Sequence, residues 1–280
     1  MNLQKAIDDL FSTQREEWPQ MNEAINRLEQ VRERSFLWGD DFKIRVQFNP
    51  SRIVSAAARV DSEMISRRPC FLCAGNRPPH QKGIPFLDKY IVLCNPFPIL
   101  RNHLTIPLLS HVPQRLGRKT GEMLMLAEQL PDYVIFYNGP ACGASAPDHF
   151  HLQAGLKMPE LLQGDNELRS CMMIESESRQ EAEELFGDVY HYLQRRQPDA
   201  EEPMLNLIAF TQDNRYHLHL FPRRAHRPRQ YNEAGAKQLL ISPGALDMAG
   251  LIITVREEDF NKLGKHDIED IYAQVSLPVI

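Results

Sequence analysis

The sequence predicts an α+β fold, with mixed or antiparallel sheets and flanking helices arranged in two diverged halves. Three observations predict it. Short apolar segments at 90–94, 103–107, 133–137 and 150–154 have the length and the β-branched or aromatic content of strands. Between the second and third lies a helix-length run at 118–129. The pattern then returns: a long polar helix at 178–196 precedes strand candidates at 205–211, 216–221 and 251–255. The echo is clearest in His149-Phe150-His151 and His217-Leu218-His219, which sit in corresponding strands.

The earlier elements follow in order. Leu3, Ile7, Leu10 and Phe11, then Met21, Ile25, Leu28 and Val31, recur at spacings of three and four and are interrupted near Pro19. This predicts two amphipathic helices over 3–34, serving as a lid or brace. A strand at 43–48 is closed by Asn49-Pro50, and an irregular stretch rich in Arg, Ser and Pro runs to about residue 88, with a short helix near 52–58. Three segments result: 1–60, helices and a first strand packed on the core; 61–165, a catalytic half; and 166–280, a second half. No low-complexity linker separates them, so they pack as one unit.

A chain of 280 residues, 42% hydrophobic and 25% charged, can bury a substantial core. Its 32 basic and 37 acidic residues give a net charge of -5, so no global field draws it to nucleic acid or an anionic membrane. Residues 1–9 lack a charged-then-apolar leader, and nowhere do about 18 apolar residues run together, so a cytoplasmic protein is expected. Five cysteines, two of them as Cys70-x-x-Cys73, fit a reducing compartment and a metal clip better than a disulfide framework. Cys94, Cys142 and Cys171 read as buried small hydrophobes.

The chemistry concentrates around residue 150. Strand alternation would place His149, His151 and Gln153 on one face and Phe150 and Leu152 on the other. For a lone His-x-His the default reading is a solvated edge strand or histidines satisfied inside a polar network. The preceding loop, Asn138-Gly139-Pro140-Ala141-Cys142-Gly143-Ala144-Ser145, tips the reading toward a phosphate site, because its glycines let backbone N–H groups approach a ligand. A largely neutral imidazole can attack phosphorus through one nitrogen if an acceptor holds the other. His151 would then carry a nucleotidyl group. Gln153 stands where a further histidine could protonate a poor leaving group, and it offers only an amide donor. Phosphates leave and attack as anions without a strong acid or base, so transfer is favoured over hydrolysis.

The string from Asn138 to Gln153, with Gly143-Ala144-Ser145 and His149-x-His151-x-Gln153, resembles the active-site signature of the histidine-triad (HIT-like) superfamily. The similar branch contains galactose-1-phosphate uridylyltransferase, diadenosine tetraphosphate phosphorylase and the GDP-hexose phosphorylases. Cys70-Phe71-Leu72-Cys73-Ala74-Gly75-Asn76 resembles the zinc-binding segment of the uridylyltransferases. The resemblance is good over about 68–155 and weak elsewhere. It implies a HIT-like fold, His151 as nucleophile, Gln153 as the residue holding the transferred phosphate, and His149 beside them. Asn138, Gly143, Ala144 and Ser145 become phosphate contacts, and Arg52, Asn95 and Asn76 fall in the nucleotide pocket by neighbourhood, although each can equally serve as a turn former or surface charge. One residue more than in the uridylyltransferases separates Ser145 from His149, while Leu220-Phe221-Pro222-Arg223-Arg224 and His149 to Ala154 look closer to the GDP-hexose phosphorylases.

That tilts the reading toward a phosphorylase. Its donor would be a nucleotide sugar or dinucleoside polyphosphate and its acceptor inorganic phosphate or a sugar phosphate, with a homodimer implied by the resemblance alone. A histidine-triad nucleotide hydrolase and a zinc-stabilised nucleotide-binding protein without turnover are the competing readings. Base and sugar are not legible in any motif.

Tetrahedral zinc on Cys70 and Cys73 needs two further ligands. The resemblance supplies His111 and His149, with His103 as the alternative to His111, and a closed Cys/His shell makes the ion structural. His217 and His219 resemble a second metal site whose remaining ligand has no clear match here. Arg215, Arg223, Arg224, Arg227 and Arg229 crowd around these histidines. Guanidinium forks suit phosphate, and Arg223 is the expected phosphate contact, against a solvated basic rim as the ordinary reading.

Overall fold

Apolar alternation resolves into two sheets in a computed structural model, which describes residues 2–39, 42–53, 62–164 and 168–279. The strands are β1 Arg32–Trp38, β2 Phe42–Phe48, β3 Gly83–Phe86, β4 Tyr90–Cys94, β5 Leu104–Pro107, β6 Tyr133–Asn138, β7 His151–Leu156, β8 Met172–Ser176, β9 Leu205–Gln212, β10 Arg215–Pro222 and β11 Leu251–Thr254. The helices are α1 Leu3–Glu17, α2 Pro19–Glu29, α3 Ser62–Arg67, α4 Thr120–Gln129, α5 Arg179–Arg196, α6 Ala245–Ala249, α7 Glu257–Lys262 and α8 Lys265–Val275. The larger sheet has the order β3-β4-β5-β7-β6-β9-β10-β8, and every neighbouring pair in it is antiparallel. The smaller has the order β1-β2-β11, with β2 and β11 parallel.

The central strands are apolar without interruption because both faces of the large sheet are covered. All six residues of β6 are buried. Ile135 and Tyr137 pack with α1, α4 and α5 on one side, while Val134 and Phe136 pack with Ile44, Leu251, Ile271 and Tyr272 on the other. Each such side chain contributes roughly 1.5–3 kcal/mol of transfer free energy. Two pairings tie distant segments together. β2, near the N-terminus, accepts β11 along its edge, and β6 is bonded to β9 across the middle of the large sheet.

The helix pair at the N-terminus forms around Pro19, which starts α2 at its first position, where a missing N–H costs nothing. Asn2 caps α1 by accepting from Lys5 N. The second helix is shorter than its periodicity suggests: α2 stops at Glu29 and residues 32–38 form β1. That strand is the outer edge of its sheet, exposed on alternate residues, so it has no apolar run to announce it. β3 and β8 also lie at sheet edges, and β3 carries the glycine and proline that disguise an edge strand as a loop. Near 52–58, a 3-10 turn covers Pro50–Arg52, and the rest of the expected helix from residue 54 lies outside the described residues. No helix among the described residues is long and apolar enough to cross a membrane.

Candidate active site

The C-terminal end of β6 and the N-terminal end of β7 open onto a cavity of about 670 Å³, within the range of small-molecule and cofactor sites. His151, Gln153, Asn138, Gly143, Ala144, Ser145, Asn95 and Arg52 all line it, so most of the expected ligand contacts converge. Gly244, Asp247 and Ile253, from the end of the chain, form part of its wall.

His151 begins β7, and its Nδ1 lies 2.9 Å from the backbone oxygen of His149. A carbonyl only accepts, so Nδ1 carries the proton and Nε2 keeps its lone pair. Burial pushes the pKa down to about 4, keeping the ring neutral at physiological pH. Its backbone is clamped by Gln114, a fully buried residue that no sequence motif marks. Gln114 Oε1 accepts from His151 N at 2.7 Å, while Nε2 donates to His151 O and to Asn138 O, both at 3.0 Å.

The side chain of Gln153 is also set by a partner. Ile99 N donates to His103 Nδ1 at 3.0 Å, which leaves the imidazole proton on Nε2. That nitrogen is 3.1 Å from Gln153 Oε1 and therefore donates to it. The Gln153 amide nitrogen is left for a ligand. Burial, with the Arg52 charge nearby, lowers the His103 pKa to about 3 and holds it neutral. His103 is thus committed to Gln153 and does not join the cysteines as a metal ligand. Asn138 is oriented likewise, its Oδ1 accepting from Ala245 N at 2.7 Å and from Asn206 Nδ2 at 2.8 Å.

Gly143 has φ +96°, and a Cβ there would stand 3.0 Å from Gly244 Cα, so this turn requires glycine. Arg52 donates to Phe97 O, and burial lowers its pKa to about 10. Asn95 bonds Thr105 Oγ1 and accepts from Phe97 N, while Asn76 donates to Cys70 O and shapes the cysteine turn instead of the cavity.

His149 departs from the expected arrangement. It precedes β7 in a turn closed by His149 N to Ala146 O, so strand alternation does not reach it and its ring leaves the cavity face. The ring meets Cys70, Cys73 and His111, whose donor atoms and its own all lie within 4.8 Å of one another. Cys70 Sγ and Cys73 Sγ are 3.3 and 3.6 Å from His149 Nδ1, and Cys73 Sγ is 3.3 Å from His111 Nδ1. Four ligands around a tetrahedral zinc have S···N edges of roughly 3.5 Å, given typical bond lengths. His149 Nε2 donates to Leu108 O at 2.8 Å, turning the Nδ1 lone pair toward the thiols, as an outer-shell partner does in zinc sites. These four residues could hold such an ion.

The arginine cluster disperses. Arg215 pairs with Glu175 and Glu177, Arg229 with Asp270, and Arg224 bonds backbone oxygens of Ala273 and Gln274. Arg227 does line the cavity, stacked over Tyr231 and donating to Ser242 Oγ. Arg223 does not. It is wholly buried behind the cavity wall, bonded to Asn206, Pro243, Ala225, His226 and Val275. His217 and His219 pack against Phe210, and among the described residues no third ligand type completes a metal group with them.

A family model described as a domain of unknown function (DUF4922) matches residues 10–156. No curated protein matches the chain by sequence. Among solved structures it is similar to yeast Ap4A phosphorylase Apa2 in complex with Ap4A, with 18% identity and a TM-score of 0.68, covering 99% of this chain and 98% of that one. The AMP complex of the same yeast protein gives 17% identity and a TM-score of 0.62 over 99% of this chain and 97% of that one. At such identity the likeness is one of fold.

Proposed function

The chain belongs to the family described as a domain of unknown function (DUF4922), and we propose that it is a nucleotidyl-transferring phosphorylase of dinucleoside polyphosphates acting through His151. The observation that carries this reading is the tautomer of His151, whose Nδ1–H is held by the His149 carbonyl and whose Nε2 is left free to attack. The shared fold with a yeast Ap4A phosphorylase supports the substrate class. Nε2 attacks the α-phosphorus, forming an N–P bond as the P–O bond to the departing phosphate chain breaks. The imidazolium charge is stabilised by the His149 carbonyl, and the Gln153 and Asn138 amides donate to the phosphoryl oxygens. Inorganic phosphate then attacks phosphorus, the N–P bond breaks, and neutral His151 returns. Neither leaving group needs a general acid, which fits an amide at position 153.

Cys70, Cys73, His111 and His149 are proposed to hold a structural zinc that braces the loop before the nucleophile. Nucleotide sugars remain the second donor class. Arg223 lends them no support, because its side chain does not reach the cavity. The strand orders also support a duplication: β5-α4-β6-β7 pairs in the order 5-7-6, β8-α5-β9-β10 in the order 8-10-9, and the two meet at β6 and β9.

The test incubates purified protein with α-labelled Ap4A, ADP-sugars, GDP-sugars and UDP-sugars, quenches in alkali and counts label on protein. Label from Ap4A, absent in His151→Ala and chased off by inorganic phosphate, is the expected outcome. Folded, metal-loaded protein that takes no label from any donor would sink the reading.

A further inference from the structure

Arg223 is buried, cationic and outside the cavity, and its hydrogen bonds lead back to it. A guanidinium has five N–H donors, and here all five are used: Nε to Val275 O, Nη1 to Asn206 Oδ1 and Pro243 O, and Nη2 to Ala225 O and His226 O. Because arginine only donates, the atom of Asn206 facing it must be the oxygen. The Asn206 amide nitrogen then points the other way, and its two hydrogens go to Asn138 Oδ1 at 2.8 Å and Cys142 O at 2.7 Å. Asn138 and Asn206 are cross-strand partners where β6 meets β9. A second obligate donor, Ala245 N, fixes the same end of Asn138 at 2.7 Å. Both lone pairs of Asn138 Oδ1 are thereby filled. What remains on the cavity side is its NH₂.

We propose that Arg223 and Asn206 are positioning residues, which lock Asn138 with its amide nitrogen facing the cavity as a donor to ligand phosphate. The proposal rests on reading the cavity as a phosphate site. It does not depend on which nucleotide is transferred. Without the relay, Ala245 N alone holds Asn138 Oδ1, and an acceptor at position 206 would compete to turn the amide over and present its oxygen, which repels a phosphate oxygen instead of binding it. A donor of fixed polarity to an anion carries roughly 1.5–3 kcal/mol, so losing it costs at least about tenfold in affinity.

Asn206→Asp isolates the relay. One carboxylate oxygen still accepts from Arg223, now as an ion pair, while the other replaces the donor to Asn138 and Cys142. Asn138 is then drawn to turn its NH₂ toward the acceptor at position 206, giving up the bond from Ala245 N. Binding of inorganic tripolyphosphate, measured by calorimetry, reports the phosphate site independently of the base. We expect Asn206→Asp to bind it at least about tenfold more weakly than wild type, and to add no further loss in an Asn138→Ala background. The cycle separates the relay from simple charge repulsion, which would persist without Asn138. Wild-type affinity in Asn206→Asp, the full effect surviving in Asn138→Ala, or no tripolyphosphate binding by the wild type would each overturn the proposal. If Asn206→Asp does not fold, Asn206→Ser keeps an acceptor for Arg223, weakens the donor side, and is read in the same cycle. The labelling assay on the same preparations keeps the two readings apart: no label with the cycle intact removes the nucleotidyl reading, and label with a flat cycle removes the relay.

Discussion

At the scale of single residues, His151, Gln153 and Asn138 are each set by a neighbour that can bond in only one sense. His151 is fixed by a carbonyl, and Gln153 by a histidine whose own proton is placed by Ile99 N. Gln153→Glu should therefore keep the bond from His103 through one carboxylate oxygen while the other turns a negative charge toward the phosphate. The expected result is a fall of about a hundredfold or more in the rate of His151 labelling, with little change in thermal midpoint. An unchanged rate would show that the amide nitrogen does not serve the phosphate. His151 and Gln153 were legible in the sequence because they share a short motif with the loop before them. His103 was legible only as a possible metal ligand, since its partner is fifty positions away and no local pattern joins them. Arg223 misled for a related reason: composition reveals a guanidinium's preference for phosphate but not whether five protein acceptors already surround it.

At the scale of elements, beyond the ladder that pairs them, the start of β7 is tied to the end of β6 by one glutamine. Replacing Gln114 with alanine strips three backbone groups of their partner in a region closed to water, for an expected loss of about 2–4 kcal/mol in urea unfolding. A loss below about 0.5 kcal/mol would mean that the strand end rearranges to pair without it. The cysteine turn is the other fastening, and metal analysis of purified protein should find one zinc per chain. Its removal by a strong chelator should lower the thermal midpoint, and zinc should restore it; a midpoint indifferent to chelation would argue against an ion there. The convergence of Cys70, Cys73, His111 and His149 was readable because two cysteines and a turn lie close in sequence and a resemblance supplied the histidines. Where His149 points was not readable, because strand alternation cannot reveal that the strand starts two residues later. Edge strands β1, β3 and β8 were missed for want of a continuous apolar signature, whereas the doubly covered β6 was plain.

At the scale of the molecule, buried titratable groups govern acid stability. Burial lowers the pKa of His103 to about 3 and of His151 and His219 to about 4, against about 6.5 in an unfolded chain. Below pH 6.5 the unfolded chain takes up protons these rings refuse, so stability falls with pH, each ring adding a slope of up to about 1.4 kcal/mol per pH unit. Asp247, raised to about 6 by burial, has the opposite sign, and so does Glu202, also raised by burial. Both take up protons more readily when folded and offset the loss at lower pH. Urea unfolding should accordingly show a decline that sets in as pH falls through about 6.5 and steepens toward pH 5, the three rings outweighing the two carboxyls; stability flat from pH 7 to 5 would contradict this balance. The fold class was legible from strand and helix texture, but the closing of the chain on itself, β11 along β2, was not, because no local pattern specifies a partner two hundred residues away. The contact of Ala245 N with Asn138 has a temporal consequence. During synthesis Asn138 and His151 leave the ribosome well before Asn206 and Ala245, so a nascent or prematurely terminated chain carries His151 with Asn138 not yet held and the cavity wall incomplete. On the proposed function, reactivity toward nucleotides would therefore be withheld until the last strand and helices have docked.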